Sequence, residues 1–270
     1  MPEAAASLSR IWALCLRHIY LHRRSMVRMF DIVFWPVMDL LVWGFVMLYI
    51  QHDAQGRLAG FIIFLIGALI GWDIHYRGQL AVSIAIMEEI WTRNIVNIFI
   101  APVRLWEWIA SSFLYGTIKI SLVTLILVVI AQILYAFDLA AIGWAFFPLA
   151  AHLLFFGWTI GLFTSGLLLR FGYAAEALIW GIPFLLQPFS CVFYPLRVLP
   201  PWAGVIAQAL PSTHIFEALR GVLNGVPIAW STWVVISALN LVYFGAGLAA
   251  FAWMFRIARA RGTLGRLGQE

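Results

Sequence analysis

The run WEWIASSFLYGTIKISLVTLILVVIAQILY, residues 106–135, carries only two charged side chains, Glu107 and Lys119. About 20 predominantly apolar residues are enough to cross the hydrocarbon core of a bilayer as a helix. Backbone groups inside that core must be satisfied within the structure, which leaves helices or closed barrels, and a continuous run of this length is a helix. Comparable runs lie on both sides of it: Phe30 to Ile50, Leu58 to about Met87, Trp144 to Leu169, Ala177 to Tyr194 and Trp230 to Phe255. Composition agrees, with 64% of residues hydrophobic and 11% charged, where soluble domains carry about 25% charged residues. The sequence therefore predicts an all-α, polytopic membrane protein with six transmembrane helices over residues 30–255.

Arginine placement orients the spans. Arg10, Arg17, Arg23, Arg24 and Arg28 precede the first span, Arg93 and Arg104 lie between the second and third, and Arg170 follows the fourth. Arg256, Arg259, Arg261 and Arg266 form a basic tail over residues 256–270, while only Arg57, Arg197 and Arg220 fall on the other side. Positive charge concentrates in cytoplasmic segments, so both termini are expected in the cytoplasm. Residues 1–29 form their own segment. From Leu8 to Arg28, Ile11, Leu14, Cys15, Ile19 and Met26 recur at helical spacing among Arg10, Arg17, His18, Arg24 and Arg28, the pattern of an interfacial helix.

Several chemistries are excluded. Lys119 is the only lysine and sits between Ile118 and Ile120, so no phosphate-cradling loop ending in Gly-Lys-Ser/Thr can form, and if ATP is used another polypeptide binds it. Cys15 and Cys191, predicted toward opposite membrane faces, make neither a disulfide framework nor a metal site. The net charge of +5 is almost entirely arginine; a membrane protein needs no nucleic acid to explain it. No short apolar stretch with a small-residue cleavage site opens the chain, so no cleaved signal peptide is expected.

The link between the second and third spans reads Met87-Glu-Glu-Ile-Trp-Thr-Arg-Asn-Ile-Val-Asn-Ile-Phe-Ile-Ala-Pro102. It is too polar at its start to span and too apolar for a loop. A helical wheel gathers Trp91, Ile95, Ile98 and Phe99 on one side and Glu89, Arg93 and Asn97 on another. A short amphipathic helix over about 87–102 is predicted, stopped by Pro102. Glu88-Glu89, Trp91, Asn94 and Ala101-Pro102-Val103 in this order, after a second span, resemble the permease subunits of ABC-2 type exporters. Many relatives in that family carry a glycine-rich segment where this chain has Trp91-Thr92-Arg93-Asn94. The resemblance implies that this link is a cytoplasmic coupling helix. Glu88, Glu89, Arg93 and Asn94 would meet a separate ATPase, and Trp91 or Ile95 would bury there.

Between the last two spans, Pro195, Pro200, Pro201 and Pro211 divide residues 195–227 into pieces too short to cross a bilayer. Ser212 or Thr213 is expected to cap the second piece, with Glu217 near its first turn. Leu210, Pro211, His214, Glu217 and Arg220 match the family's external re-entrant hairpin; a surface loop resting among headgroups is the alternative.

Charges at bilayer depth cost about 3 kcal/mol each and mark an interior face or a function. Asp73 and Arg77 stand four apart and can pair along one helix face, while His75 points elsewhere. Asp73, His75 and Arg77 are read either as a polar seam lining the export path or as a structural ion pair. Asp31, Asp39, Lys119 and His152 are assigned to packing. Gly67-x-x-x-Gly71 and Gly157-x-x-x-Gly161-x-x-x-Ser165 are small-residue stripes for close helix contact. Trp35, Trp106, Trp108, Trp144, Trp202 and Trp230 fall near span ends, as an interfacial belt does.

The resemblance implies a transport subunit with no bond chemistry and no cofactor of its own, in the inner membrane of a bacterium, surrounded by lipid. Its implied partners are a second copy of itself or a related permease, and two ATPase subunits holding ATP and Mg. The cargo classes it implies are glycans, lipid-linked glycans, lipids and hydrophobic small molecules. A proton-coupled carrier using Asp73, His75, Arg77 and His152 is the competing reading, although no broken helices recur in two halves. An intramembrane serine enzyme built on Ser165 lacks a base within reach.

Overall fold

The computed structural model describes residues 2–53 and 59–262, and among these there is no strand. Arg57 and Arg266, and the tail beyond residue 262, lie outside the described residues. Helix α1 (Pro2–Arg23) leads into α2 (Met26–Asp53), α3 (Ala59–Trp91), the short α4 (Ile95–Ile100) and α5 (Leu105–Tyr135). Then come α6 (Phe146–Phe171), α7 (Glu176–Leu186), α8 (Pro201–Ala209), α9 (Pro211–Leu223) and α10 (Trp230–Ala260).

Helix α3 is the centre of the bundle. Its apolar and small residues occupy every face, the pattern of a helix surrounded by other apolar groups rather than by water. Ile66, Ala68, His75, Gln79, Val82 and Ser83 are fully buried. Against it lies α6, and glycine sets the distance. A Cβ on Gly157 would stand 2.3 Å from the His75 carbonyl oxygen, and one on Gly161 would stand 2.7 Å from that of Gln79. The stripe in α6 is thus a backbone-to-backbone contact within the chain. Outside this core, Trp35, Phe45, Leu122, Leu125, Ile133, Leu241 and Val242 remain exposed on α2, α5 and α10, as lipid-facing side chains must.

Among the described residues, four stretches are long and apolar enough to cross a membrane: Met26–Ile50, Leu105–Tyr135, Gly143–Ser190 and Trp230–Ala260. Two expectations change in detail. The apolar run from Ala177 to Tyr194 is not one helix: α7 ends at Leu186, a 3-10 turn covers Gln187–Ser190, and Cys191 takes a left-handed conformation at φ 54°. Pro183 and Pro188 fall in this stretch, and α7, with 11 residues, is about 17 Å long, short of a roughly 30 Å core. At the other end, the interfacial helix stops at Arg23 rather than Arg28. Ser25 Oγ accepts from the Arg28 N–H at 3.4 Å, and this residue opens α2. Met26 and Arg28 therefore belong to the first long apolar helix.

Candidate functional site: the link between α3 and α5

Helix α3 runs four residues past Met87. Glu88 and Glu89 are its last helical turn and not the start of a new helix. The predicted single amphipathic helix over 87–102 is broken at Arg93, whose φ of 56° puts it in the left-handed region. That conformation costs an L side chain roughly 1–2 kcal/mol. Glycine adopts it freely, so the turn gives a physical reason for a glycine-rich segment at this place. Thr92 Oγ1 donates to the Glu88 carbonyl at 2.8 Å and the Asn94 N–H to that of Glu89 at 2.9 Å, closing the end of α3. Helix α4 follows for six residues. Ala101 is then extended, at φ −63° and ψ 153°. Pro102, with no N–H to give, keeps the helix from continuing.

The two faces of the link differ sharply. Ile95 and Ile98 are buried in a cluster with Ile86, Ile90, Trp108, Leu169 and Phe251. Trp91 is 49% exposed and Ile100 77% exposed, and Thr92, Arg93, Asn97 and Pro102 are open as well. The wheel reading thus held for Ile95 and Ile98 but put Trp91 on the wrong side, because the break at Arg93 resets the helical phase. Phe99 lies outside the described side chains.

The carboxylates face the other way, Glu89 and Glu107 toward α1 and Glu88 toward the start of α2. Glu89 is 2% exposed; it meets both terminal nitrogens of Arg17 and accepts from Asn94 Nδ2 at 2.7 Å. Glu88 pairs with Arg28 at 3.4 Å. Glu107, at the start of α5, is fully buried. It accepts from Arg10 Nη2 at 2.6 Å and Nε at 2.9 Å, from the Arg104 N–H at 2.9 Å, and from Ser7 Oγ. Arg104 in turn reaches Glu3 at 3.2 Å. Glu107 holds the Arg10 guanidinium above its ordinary pKa by hydrogen bonding. On the same helix, His18 is buried and stacks on Tyr115 at 5.4 Å; burial, and then the Arg17 charge, push it down to about 4. One helix is therefore bolted to both ends of the link.

The second predicted constellation is brought together in part. Arg77 Nε donates to the two Asp73 oxygens at 2.8 and 2.9 Å. Asp73 borders a cavity of about 220 Å³ that also contacts Asp39, Tyr76, Trp43 and Gln187. His75 does not join it: its ring stacks on Phe156 at 5.0 Å and its Nδ1 lies 3.3 Å from the Leu153 carbonyl, between α3 and α6. His152 meets Asn240 at 3.2 Å, against α10. The carrier reading needs these groups in one relay, and among the described residues no hydrogen bond connects His75 or His152 to the Asp73–Arg77 pair.

The segment 195–227 folds as α8 and α9 with a preceding 3-10 turn, Leu196–Val198. Arg220 ties it down, donating to Glu217 at 2.6 Å and to the carbonyls of Cys191 and Tyr194 at 3.0 and 3.1 Å, with its guanidinium 4.3 Å from the centre of the Phe64 ring. Glu217 also accepts the Leu196 N–H at 2.7 Å, and His214 Nε2 lies 2.9 Å from the Gln208 carbonyl. Ser212 and Thr213 are not caps. Pro211 opens α9, and these two hydroxyls donate instead to Ser190 Oγ and the Phe189 carbonyl, both at 2.8 Å.

Residues 10–224 match the sequence profile of ABC-2 type transporters. The chain belongs to the ABC-2 type transporter family. Among curated proteins, it is similar to the capsule polysaccharide export inner-membrane protein CtrC of Neisseria meningitidis serogroup B. The two are 30% identical over 131 residues, 45% of this chain and 49% of the relative. The aligned part is thus about half the length of that relative. Membership in the ABC-2 family makes this chain a membrane transport subunit.

Sequence reasoning missed Glu107, Arg10, Arg17 and the buried cluster of Gln79, Ser83 and Thr164, joined at 2.7–3.2 Å between α3 and α6. A signal for the first three was present. Arg10 and Arg17 stand seven apart, two turns along one helix face, and Glu107 sits three residues after Arg104, the spacing at which an acidic side chain reaches back to a helix start.

Proposed function

We propose that this chain is the six-span half of an ATP-driven exporter. It works with a second copy of itself or a related permease and with two separate ATPase subunits that hold ATP and Mg. Both termini face the cytoplasm of a bacterial inner membrane, as the arginine distribution favours. The cargo is amphipathic: a glycan, a lipid-linked glycan, a lipid or a hydrophobic small molecule, with the similarity to a capsule polysaccharide export protein favouring a glycan-bearing one.

The observation that carries this reading is the two-faced link. Trp91, Arg93, Asn97 and Ile100 are open to a partner, while Glu88, Glu89 and Glu107 pair with arginines of this chain. The open residues form the ATPase contact, Asn94 and Pro102 shape the turns around it, and Ile95 anchors α4. Glu88 and Glu89 act as positioning residues, so that a push on α4 moves α1, α3 and α5 together. No bond chemistry occurs in this chain.

Co-expression with its ATPase tests this. Trp91→Ala with Arg93→Glu should reduce recovery of the ATPase on the tagged permease by tenfold or more, an aromatic and an arginine being the usual anchors of an interface. Arg197→Glu, far along the chain, should not. Undiminished recovery in the double variant, or nucleotide binding by the permease alone, rejects the proposed division of labour.

A further inference from the structure

Arg170, in the last turn of α6, is held without an anion. Its guanidinium lies between two rings, 4.9 Å from the centre of Phe171 and 4.8 Å from that of Trp253 on α10. Its Nε is buried and has no hydrogen-bond partner. Among the described residues no carboxylate lies within ion-pair distance of Arg170, Arg256, Arg259 or Arg261. Arg256 follows Trp253 by three residues, on the neighbouring part of the same helix face; Arg259 and Arg261 come within the next two turns, and all three are exposed. Here cations gather at the ends of two packed helices with no carboxylate among the described residues to neutralise them, in contrast to Arg10, Arg17 and Arg28.

Both flanking rings are about half exposed, Phe171 at 54% and Trp253 at 50%. They continue the apolar outer face of α10, where Leu241 and Val242 are also open. Half-exposed aromatic rings beside arginines at a span end are the signature of headgroup depth. Basic pockets between transmembrane helices at that level bind lipid phosphates. A guanidinium kept flat by two rings is ready to meet phosphate oxygens in pairs.

We infer that the corner between the ends of α6 and α10 is a binding site for the phosphodiester headgroup of an anionic membrane lipid. Arg170 is its fixed ligand, and Arg256 with its neighbours supplies further charge. The lipid would seal the outer seam between two helices that pack along their whole length, and the inference is independent of cargo and of the ATPase.

The test is native mass spectrometry of the full-length protein purified in equimolar phosphatidylglycerol and phosphatidylcholine. The wild-type chain should retain phosphatidylglycerol preferentially, and Arg170→Gln should cut that preference about fivefold, the effect of one arginine at a lipid surface. Arg256→Gln, at an exposed position, should cut it in the same direction and covers the case in which the Arg170 variant does not fold. Arg197→Gln should leave it unchanged. Equal retention of the two lipids, an unchanged preference in both arginine variants, or displacement of phosphatidylglycerol by millimolar inorganic phosphate would overturn the assignment. So would loss of ATPase recovery in Arg170→Gln with lipid preference intact.

Discussion

Removing Arg17 should destabilise the protein more than removing its partner does. Glu89 keeps only 3% of its side-chain surface, whereas Arg17 keeps 35%. In Arg17→Ala the carboxylate stays buried with only the Asn94 amide to satisfy it. Breaking a buried pair in this way costs about 3–5 kcal/mol, and the partial exposure of Arg17 puts this case at about 3 kcal/mol. At roughly 2 °C per kcal/mol for a chain of this size, the Tm in detergent, followed by tryptophan fluorescence, should fall by about 6 °C. Glu89→Gln keeps a neutral acceptor for Asn94 and frees an arginine that already reaches water, so its cost is nearer 1 kcal/mol. The sharper expectation is a change of sign. Added to Arg17→Ala, the Glu89→Gln substitution removes an unpaired buried charge and should recover about half of the lost stability. If the two effects simply add, the Arg17–Glu89 contact is not a coupled buried pair and the clamp argument fails.

Three further outcomes follow from the geometry. Gly157→Ala drives a Cβ to 2.3 Å from a backbone oxygen of α3 and should cost about 1–3 kcal/mol, seen as a lowered Tm, whereas Gly204→Ala, with nothing within 4 Å, should leave Tm level or raise it slightly. Asp73→Leu with Arg77→Leu should fold about as well as wild type while Arg77→Leu alone loses about 3 kcal/mol; export by the double variant measured in vesicles then separates the readings, since loss of transport with intact stability makes the pair part of the path and retained transport makes it structural. His18 is depressed to about 4 by burial, so the folded state resists its protonation: the stability tied to its neutral ring is fully present above about pH 6.5 and drains away as pH falls toward 4. His18→Phe should flatten the Tm profile across that window, and an unchanged slope would refute this origin.

What the sequence made legible depended on whether the cause was local. Helices α5 and α10 could be read almost residue for residue, because a lipid-facing span is apolar on its own account and needs no partner to explain it. The Asp73–Arg77 pair was legible for a similar reason: the four-residue spacing that brings the groups together is itself written in the chain, and the same spacing put His75 off the face. The segment from Pro195 to Arg220 was marked by prolines, whose effect is intrinsic to the residue. The failures have the opposite character. Glu88 and Glu89 looked like the polar start of a surface helix, because hydropathy registers a carboxylate as hydrophilic without seeing that an arginine 72 residues earlier receives it. The reversal at Cys191 interrupts a run that is apolar but for Gln187 and Ser190, and the left-handed turn at Arg93 occurs where no glycine announces it.

These failures bear on how the link between α3 and α5 acts. Had Glu88 and Glu89 been free on a surface helix, their charges would have been available to an ATPase, and the link could shift without its neighbours. With Glu89 of α3 held by Arg17 and Glu107 of α5 held by Arg10, both arginines on α1, a push on α4 that displaces α3 or α5 relative to α1 must either break buried ion pairs or carry α1 along. Breaking one costs several kcal/mol, more than most surface contacts between proteins return. Moving α1 as part of the same body costs far less, because its outer face, with Leu8, Trp12 and Tyr20 exposed, slides against fluid lipid. On the proposed function, the first helix is the second arm of the lever. Deleting residues 2–10, which removes Arg10 and Ser7 from Glu107, should leave an exporter whose ATPase still docks on Trp91 and Arg93 while hydrolysis and transport lose their fixed ratio. A truncated chain that keeps the wild-type ratio would show that α4 acts alone.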